Sequence, residues 1–279
     1  METIIHSCNF CVTNADEQLD IFTEEEINAL LVKIYGLEVN NFALDYGYYI
    51  RVARKLTEGM LKGFGSDFVT TDFLTPDFEM LTSLRENVYI FSAAKNFQQT
   101  KQMSSLLIDP KGNVRTFSEF SKQAKKVFET YNRQYLTAEY NSAIAQGQAA
   151  SKWLTFERDK DVVGKLKYQT VGDARVRPEH AQLDGIVRVV DDPFWSTFYP
   201  PNGWNCRCEA IQVEDERVTS LTRRKMPTKE EVPLEFRFNA GKTKQIFSPA
   251  HPYFKVAAGE KEFAKRNFDL PIPPPTGNG

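Results

Sequence analysis

The sequence predicts an α+β fold in which a helical N-terminal region leads into a small mixed α+β unit. Apolar residues recur at helical spacing up to about Arg158, whereas after Asp161 short β-prone runs alternate with loops rich in Asp, Pro, Gly and Trp. Of 279 residues, 41% are hydrophobic and 13% aromatic, with 21 Phe and 11 Tyr. That is the profile of an ordered globular chain and excludes a disordered or collagen-like one.

Thr23 with Glu26 three residues on makes a capping box, and Ile27, Leu30, Leu31 and Ile34 share a face, predicting a helix over 24–35. From 36 to 80, glycines at 47, 59, 63 and 65 and Pro76 interrupt the pattern, although Tyr49, Val52, Leu56 and Met60 predict a helix within it. Leu81, Leu84, Val88 and Phe91 place another over 82–107, ended by Asp109, Pro110 and Gly112. Thr116 and Glu119 open the next, striped by Phe117, Phe120, Ala124, Val127 and Phe128 and ending near Asn132.

A longer helix then runs to about Arg158, with Leu136, Tyr140, Ala143, Ile144, Gly147, Ala150 and Leu154 inward. Gly147 in its middle costs about 1 kcal/mol relative to Ala, which points to close backbone packing there. Strands are predicted at 165–170, 186–190 and 208–213, and the Pro-rich end LPIPPPTGNG is expected to be extended and mobile.

The 35 basic and 37 acidic residues give a net charge of -2, so no global field draws the chain to nucleic acid or an anionic membrane. Between 217 and 266, however, 12 basic residues face 5 acidic ones, and Arg223, Arg224, Lys225, Lys242 and Lys244 are candidate nonspecific contacts to duplex DNA. A solvated lysine surface is the alternative. No run approaches the roughly 20 apolar residues of a spanning helix. The start, METIIHSCNFCVTNADEQ, lacks the basic and apolar regions of a secretory signal, so synthesis is expected to end in a cytosol. The four cysteines fall in two close pairs, Cys8/Cys11 and Cys206/Cys208, a pattern suited to reduced thiols or a metal rather than disulfides.

Residues 168–208 read YQTVGDARVRPEHAQLDGIVRVVDDPFWSTFYPPNGWNCRC. Asp173, Arg175 and Arg177 alternate, so on an extended segment an aspartate can pair with a neighbouring guanidinium. Gly185 suits a turn that needs a left-handed residue, while Pro200 and Pro201 stiffen the approach to a strand on which Cys206 and Cys208 point one way and Arg207 the other. The order and spacing of Asp173, Arg175, Arg177, His180, Leu183, Asp184, Gly185, Pro200, Pro201, Asn205, Cys206, Arg207 and Cys208 resemble the phage Mu F-like family of minor head, or head morphogenesis, proteins. The flanking stretches TAEYNSAIAQGQ and RFNAGKTKQIFSPAHPYF extend that resemblance over about 115–257.

The resemblance implies a helical region at 1–114, a Mu F-like domain at 115–257 and a flexible tail at 258–279. It also implies a structural, non-enzymatic protein of the capsid interior, made in the bacterial host cytoplasm, which works with the portal and other capsid proteins and touches packaged DNA. Part of the family carries Cys-x-x-Cys and a loop His with the final Cys-Arg-Cys, a set suited to structural zinc. Here Arg177 and Gly203 stand at two of those positions, leaving His180, Cys206 and Cys208 as zinc ligands, with Asp173, Asp184 or a thiol from Cys8/Cys11 as the fourth. Two buried thiols and a hydrogen-bonded histidine are the alternative.

His6, Cys8 and Cys11 form a second metal candidate. His251, in Pro-Ala-His-Pro, is expected to be structural. Two rival functions remain: a zinc-stabilised nucleic-acid-binding module, and a cysteine-dependent hydrolase or toxin. The second would need a concave site with a perturbed thiol at Cys206 beside His180.

Overall fold

The computed structural model describes residues 19–223 and 226–275. Five helices build its larger part: α1 (Glu24–Tyr35), α2 (Tyr46–Phe64), α3 (Pro76–Ser104), α4 (Phe117–Glu129) and α5 (Leu136–Asp159). The capping boxes at Thr23 and Thr116 form as expected. Pro76, read as an interruption, instead occupies the first turn of α3, where its missing N–H costs nothing, and Thr75 caps that helix. The expected break near Asn132 is absent: Thr130–Tyr135 is a π-helical stretch that carries α4 directly into α5.

Three short strands follow, β1 (Lys165–Gln169), β2 (Val187–Val189) and β3 (Glu209–Gln212), in one antiparallel sheet of order β2-β1-β3. A single turn, α6 (Pro178–Ala181), lies between β1 and β2. Cys206 and Cys208 precede β3 rather than lying within it. A second short helix, α7 (Ala240–Thr243), follows the sheet.

Two apolar cores flank α5. The larger joins α1 to α4, the first half of α5 and C-terminal residues such as Phe247, Phe263 and Phe268; the smaller joins Trp153 and Phe156 to Leu166, Tyr168, Leu183, Trp195 and Tyr199. The tail expected to be extended and mobile is packed as far as it is described. Phe263, Phe268 and Leu270 are buried, Tyr49 donates to the Pro271 carbonyl at 3.0 Å, and Arg85 donates to that of Pro273 at 2.8 Å. Apolar residues interleaved with the prolines gave this segment something to bury.

Helices α2 and α5 meet backbone to backbone. A Cβ on Gly63 would stand 1.9 Å from the Ile144 carbonyl oxygen, and one on Gly147 would stand 2.4 Å from that of Met60. The mid-helix glycine is therefore a steric necessity. Beside this contact, Lys95 and Glu139 form a fully buried ion pair at 2.5 Å, with Tyr253 donating to the same carboxylate at 2.9 Å and Lys95 donating to the Tyr131 carbonyl at 2.6 Å. Burial lowers the Lys95 pKa, and its partners Glu139 and Tyr131 keep its donors occupied.

Gly147→Ala is expected to destabilise the fold by about 1–3 kcal/mol through overpacking, despite its gain in helix propensity. Gly259→Ala, with open space around the added carbon, should stay within about 0.5 kcal/mol of wild type. Urea unfolding checks both. Lys95→Met should cost about 3–5 kcal/mol by stranding Glu139, and the double change Lys95→Met/Glu139→Leu should recover much of that loss.

Candidate functional site: a clasp holding one histidine and two thiols

The segment between β1 and β3 folds into a clasp whose polar groups mostly hold one another. Asp173 accepts both arms of Arg207, each at 2.7 Å, while the Arg175 guanidinium comes only within 3.7 Å of the same carboxylate and the Arg175 backbone amide donates to it at 3.0 Å. Sequence alternation suggests a pairing within the Asp-x-Arg run, but the stronger partner, Arg207, comes from the Cys-Arg-Cys run. Its forked hydrogen bonds hold the Asp173 pKa at about 2.

Arg177 donates to the Trp204 carbonyl at 2.6 Å, and its guanidinium would lie 3.1 Å from a Cβ on Gly203. The two positions that depart from the family's ligand pattern therefore sit side by side, with the arginine in space the glycine leaves free. Asp184 accepts from the Thr170 amide and hydroxyl at 2.7 and 2.9 Å, and Gly185 adopts the expected left-handed φ of 73°. The Pro200-Pro201 bond is cis. Buried Asn202 accepts from Tyr168 at 3.0 Å and donates to the Tyr199 carbonyl at 3.2 Å, which fixes the proline loop.

Helix α6 starts at Pro178 and buries His180 against the chain entering β3. His180 Nδ1 lies 3.6 Å from the sulfur of Cys206 and 3.6 Å from that of Cys208. The Cys206 thiol is held well below its ordinary range, first because Cys208 hydrogen-bonds to its sulfur and then because His180 does; the same pairing and burial push Cys208 up. The shifts are opposite in direction because the two sulfurs are hydrogen-bonded to each other.

This geometry fits zinc. A tetrahedral ion with bonds of about 2.3 Å to sulfur and 2.0–2.1 Å to nitrogen separates those atoms by about 3.6 Å. His180, Cys206 and Cys208 are the metal-competent group among the described residues, and neither Asp173 nor Asp184 joins them. The His6, Cys8 and Cys11 candidate lies outside the described residues.

These side chains line a cleft of about 380 Å³ whose opposite wall is α5. Asn141, Ala145, Gln148 and Lys152 face it at helical spacing, and Lys152 pairs with Glu209 at 2.5 Å. Sequence reasoning missed this wall by following only the apolar side of α5, although the polar stripe on its other side carried the signal. The concave site and perturbed thiol that a hydrolase would need are both present. The nucleophile-and-base arrangement is blurred, however, because one imidazole nitrogen serves two sulfurs equally and the first cause of the low Cys206 pKa is the second thiol.

The other sequence candidates lie apart from the clasp. Lys242 stacks over the Trp153 ring at 4.9 Å, and Lys244 pairs with Glu79. Arg224 and Lys225 lie outside the described residues, as does the side chain of Arg223. His251 is structural: its Nδ1 accepts from the Tyr253 amide at 3.2 Å, and burial followed by the Lys95 charge lowers its pKa to about 4.

The clasp should be visible in the titration of Asp173. A depressed carboxylate pKa stabilises the fold above the unfolded value of 3.8, and this contribution is lost as pH falls through about 2. Carboxyl NMR should therefore give a midpoint near 2 in the wild type. Arg207→Lys, which removes the fork, should raise it toward 3.8; a wild-type midpoint already there means the clasp is not formed.

Residues 112–211 match the family described as Phage Mu protein F like protein. The protein of Escherichia phage Mu named capsid assembly protein F is 33% identical over 116 residues, 42% of this chain and 24% of that protein. The Mu-like prophage FluMu F protein of Haemophilus influenzae is 43% identical over 54 residues, 19% of this chain and 13% of that protein. The matched part therefore spans a quarter or less of each relative's length. No solved structure matches. The residues that match the family contain α4, α5, β1, β2, His180 and the Cys206-Arg207-Cys208 run, and over that segment the chain is similar to the Mu F-like phage proteins.

Proposed function

We propose that this chain is a capsid assembly protein of a phage head, a minor component at the portal vertex inside the capsid, acting through shape and contacts and carrying out no reaction. The observation that supports this most directly is the 33% identity over 116 residues to a protein named for capsid assembly, beside a family match at 112–211 that contains most of the clasp. The way the clasp spends its functional groups agrees: Asp173 is held by Arg207, Glu209 by Lys152, and Asp184 caps Thr170. In this reading His180, Cys206 and Cys208 hold zinc, which would supply a cross-link between α6 and the chain entering β3 and stabilise the fold without chemistry. Duplex DNA inside the capsid is a further partner, reached nonspecifically through the basic residues Arg223, Arg224, Lys225, Lys242 and Lys244, the last of which also pairs with Glu79.

A cysteine hydrolase is the second reading, favoured by the cleft and the lowered Cys206 pKa. The two separate cleanly. As an assembly protein, the chain co-expressed with its own portal and coat proteins should remain in purified proheads, and Cys206→Ser should be retained equally when folded. Absence from proheads sinks the assembly reading. Loss of a hydrolytic activity in Cys206→Ser, with retention intact, would favour the hydrolase.

Zinc should also shield both thiols from iodoacetamide, with EDTA restoring rapid alkylation. Absence of metal after purification without chelator, with melting unchanged by EDTA, removes zinc. Filter binding to duplex DNA should weaken steeply with salt, and no binding at about 50 mM salt removes the DNA contact.

A further inference from the structure

The loop joining α2 to α3 turns its apolar side chains outward. Phe73 is 72% exposed, Leu74 87% and Val69 66%, above a half-buried base of Phe68 and Phe78. Phe78 meets Phe68 and Phe73 edge to face, with ring centres 5.7 and 5.1 Å away. The backbone of this tip is held in place. Asp67 accepts from the Val69 and Thr70 amides at 2.9 and 2.8 Å, and Thr75 donates to the Asp72 carbonyl at 2.7 Å. Leu74 sits at a left-handed φ of 69°, which is unfavourable for leucine, and no burial within the chain offsets it. Adjoining exposed apolar side chains mark a contact surface, and a tip already held in shape loses little entropy on docking.

The charge around the tip narrows what it can meet. From Ser66 to Glu79 the chain carries Asp67, Asp72, Asp77 and Glu79 with no lysine or arginine, and Glu79 pairs with Lys244. Such a tip is repelled by nucleic acid and by an anionic bilayer, and is complementary to a basic seat with apolar walls. The cleft between α5 and the clasp is such a seat. Ile144, Ala149, Tyr199 and Pro200 give it apolar walls, while Lys152, Arg175, Arg177 and Arg207 line it against one carboxylate, Glu209. Lys152 is engaged by Glu209 and Arg207 by Asp173, but the Arg175 side chain is 75% exposed and comes only within 3.7 Å of Asp173. The volume of about 380 Å³ lies within the range of binding pockets.

We propose that the Phe73-Leu74 tip of one copy of this chain seats in the cleft of a second copy, with the carboxylates beside the tip facing Arg175 and Arg177. Each junction uses one tip and one cleft. The contact needs no metal and no other capsid protein, so it stands or falls apart from the zinc and assembly readings given above.

Sedimentation of the purified full chain tests it. Wild type should associate with rising concentration up to about 100 µM. Phe73→Ser/Leu74→Asn should weaken association at least about tenfold, as loss of a central anchor does. Its fold should be kept, because both side chains are exposed and asparagine tolerates the left-handed φ better than leucine. Arg175→Glu, at an exposed side chain, should weaken association to a similar extent. Mixing the two variants brings one intact cleft to one intact tip, so association should return as a one-to-one pair. Circular dichroism checks that each variant is folded. A wild type that stays monomeric overturns the proposal and leaves the tip to a different protein. Association that survives either variant overturns it as well, and so does a mixture of the folded variants that stays monomeric.

Discussion

The close approach of α2 to α5 is the constraint on which the rest of the structure depends. With Gly63 against the Ile144 carbonyl and Gly147 against that of Met60, α5 lies too near α2 for any side chain to intervene. That contact fixes one side of α5 in the larger core. Further along, Trp153 and Phe156 turn into the smaller core, and the polar stripe from Asn141 to Lys152 becomes the wall of the cleft. One helix therefore sets the position of the clasp relative to the helical region. Gly241 repeats the device from the other side, since a Cβ there would lie 2.2 Å from that of Trp153.

The ion pair of Lys95 and Glu139 sits where α4 passes through its π-helical stretch into α5. A buried pair of this kind adds little net stability compared with apolar residues of the same volume, because desolvation consumes most of the Coulombic gain. Its geometry is nonetheless specific. Tyr253 and the Tyr131 carbonyl complete the hydrogen bonds, and Tyr131 belongs to the π-helical stretch itself. The pair thus ties α3, the π-helical turn, α5 and the C-terminal region to one register, a role an apolar cluster would fill less selectively.

Much of the helical half could be read from local signals, because capping boxes and apolar periodicity are local. Residues 24–35 form a helix as expected, and Gly147 was placed at a close contact for the right reason. What failed depended on distant partners. Pro76 reads as a break until Thr75 is recognised as its cap, and the proline-rich end reads as mobile until Phe263 and Phe268 find the larger core. In the clasp, the resemblance to the Mu F-like family implies His180, Cys206 and Cys208 as a group, yet it does not foresee Arg207 as the closer partner of Asp173. Residues 173 and 207 meet only after β1 and β3 pair, and no local pattern encodes that meeting.

The two sulfurs and one nitrogen deserve comparison with what each chemistry demands. A nucleophilic thiol works best when one imidazole faces it alone and a third group orients that imidazole. A metal instead needs several donors at equal separations around an empty centre. His180 Nδ1 stands at the same 3.6 Å from both Cys206 and Cys208, which is the second requirement rather than the first. The lowered Cys206 pKa follows from the same crowding, because Cys208 and then His180 hydrogen-bond to its sulfur. A perturbed thiol in a cleft, taken alone, would argue for catalysis. Set within this symmetry, it agrees with the proposed cross-linking role of the site.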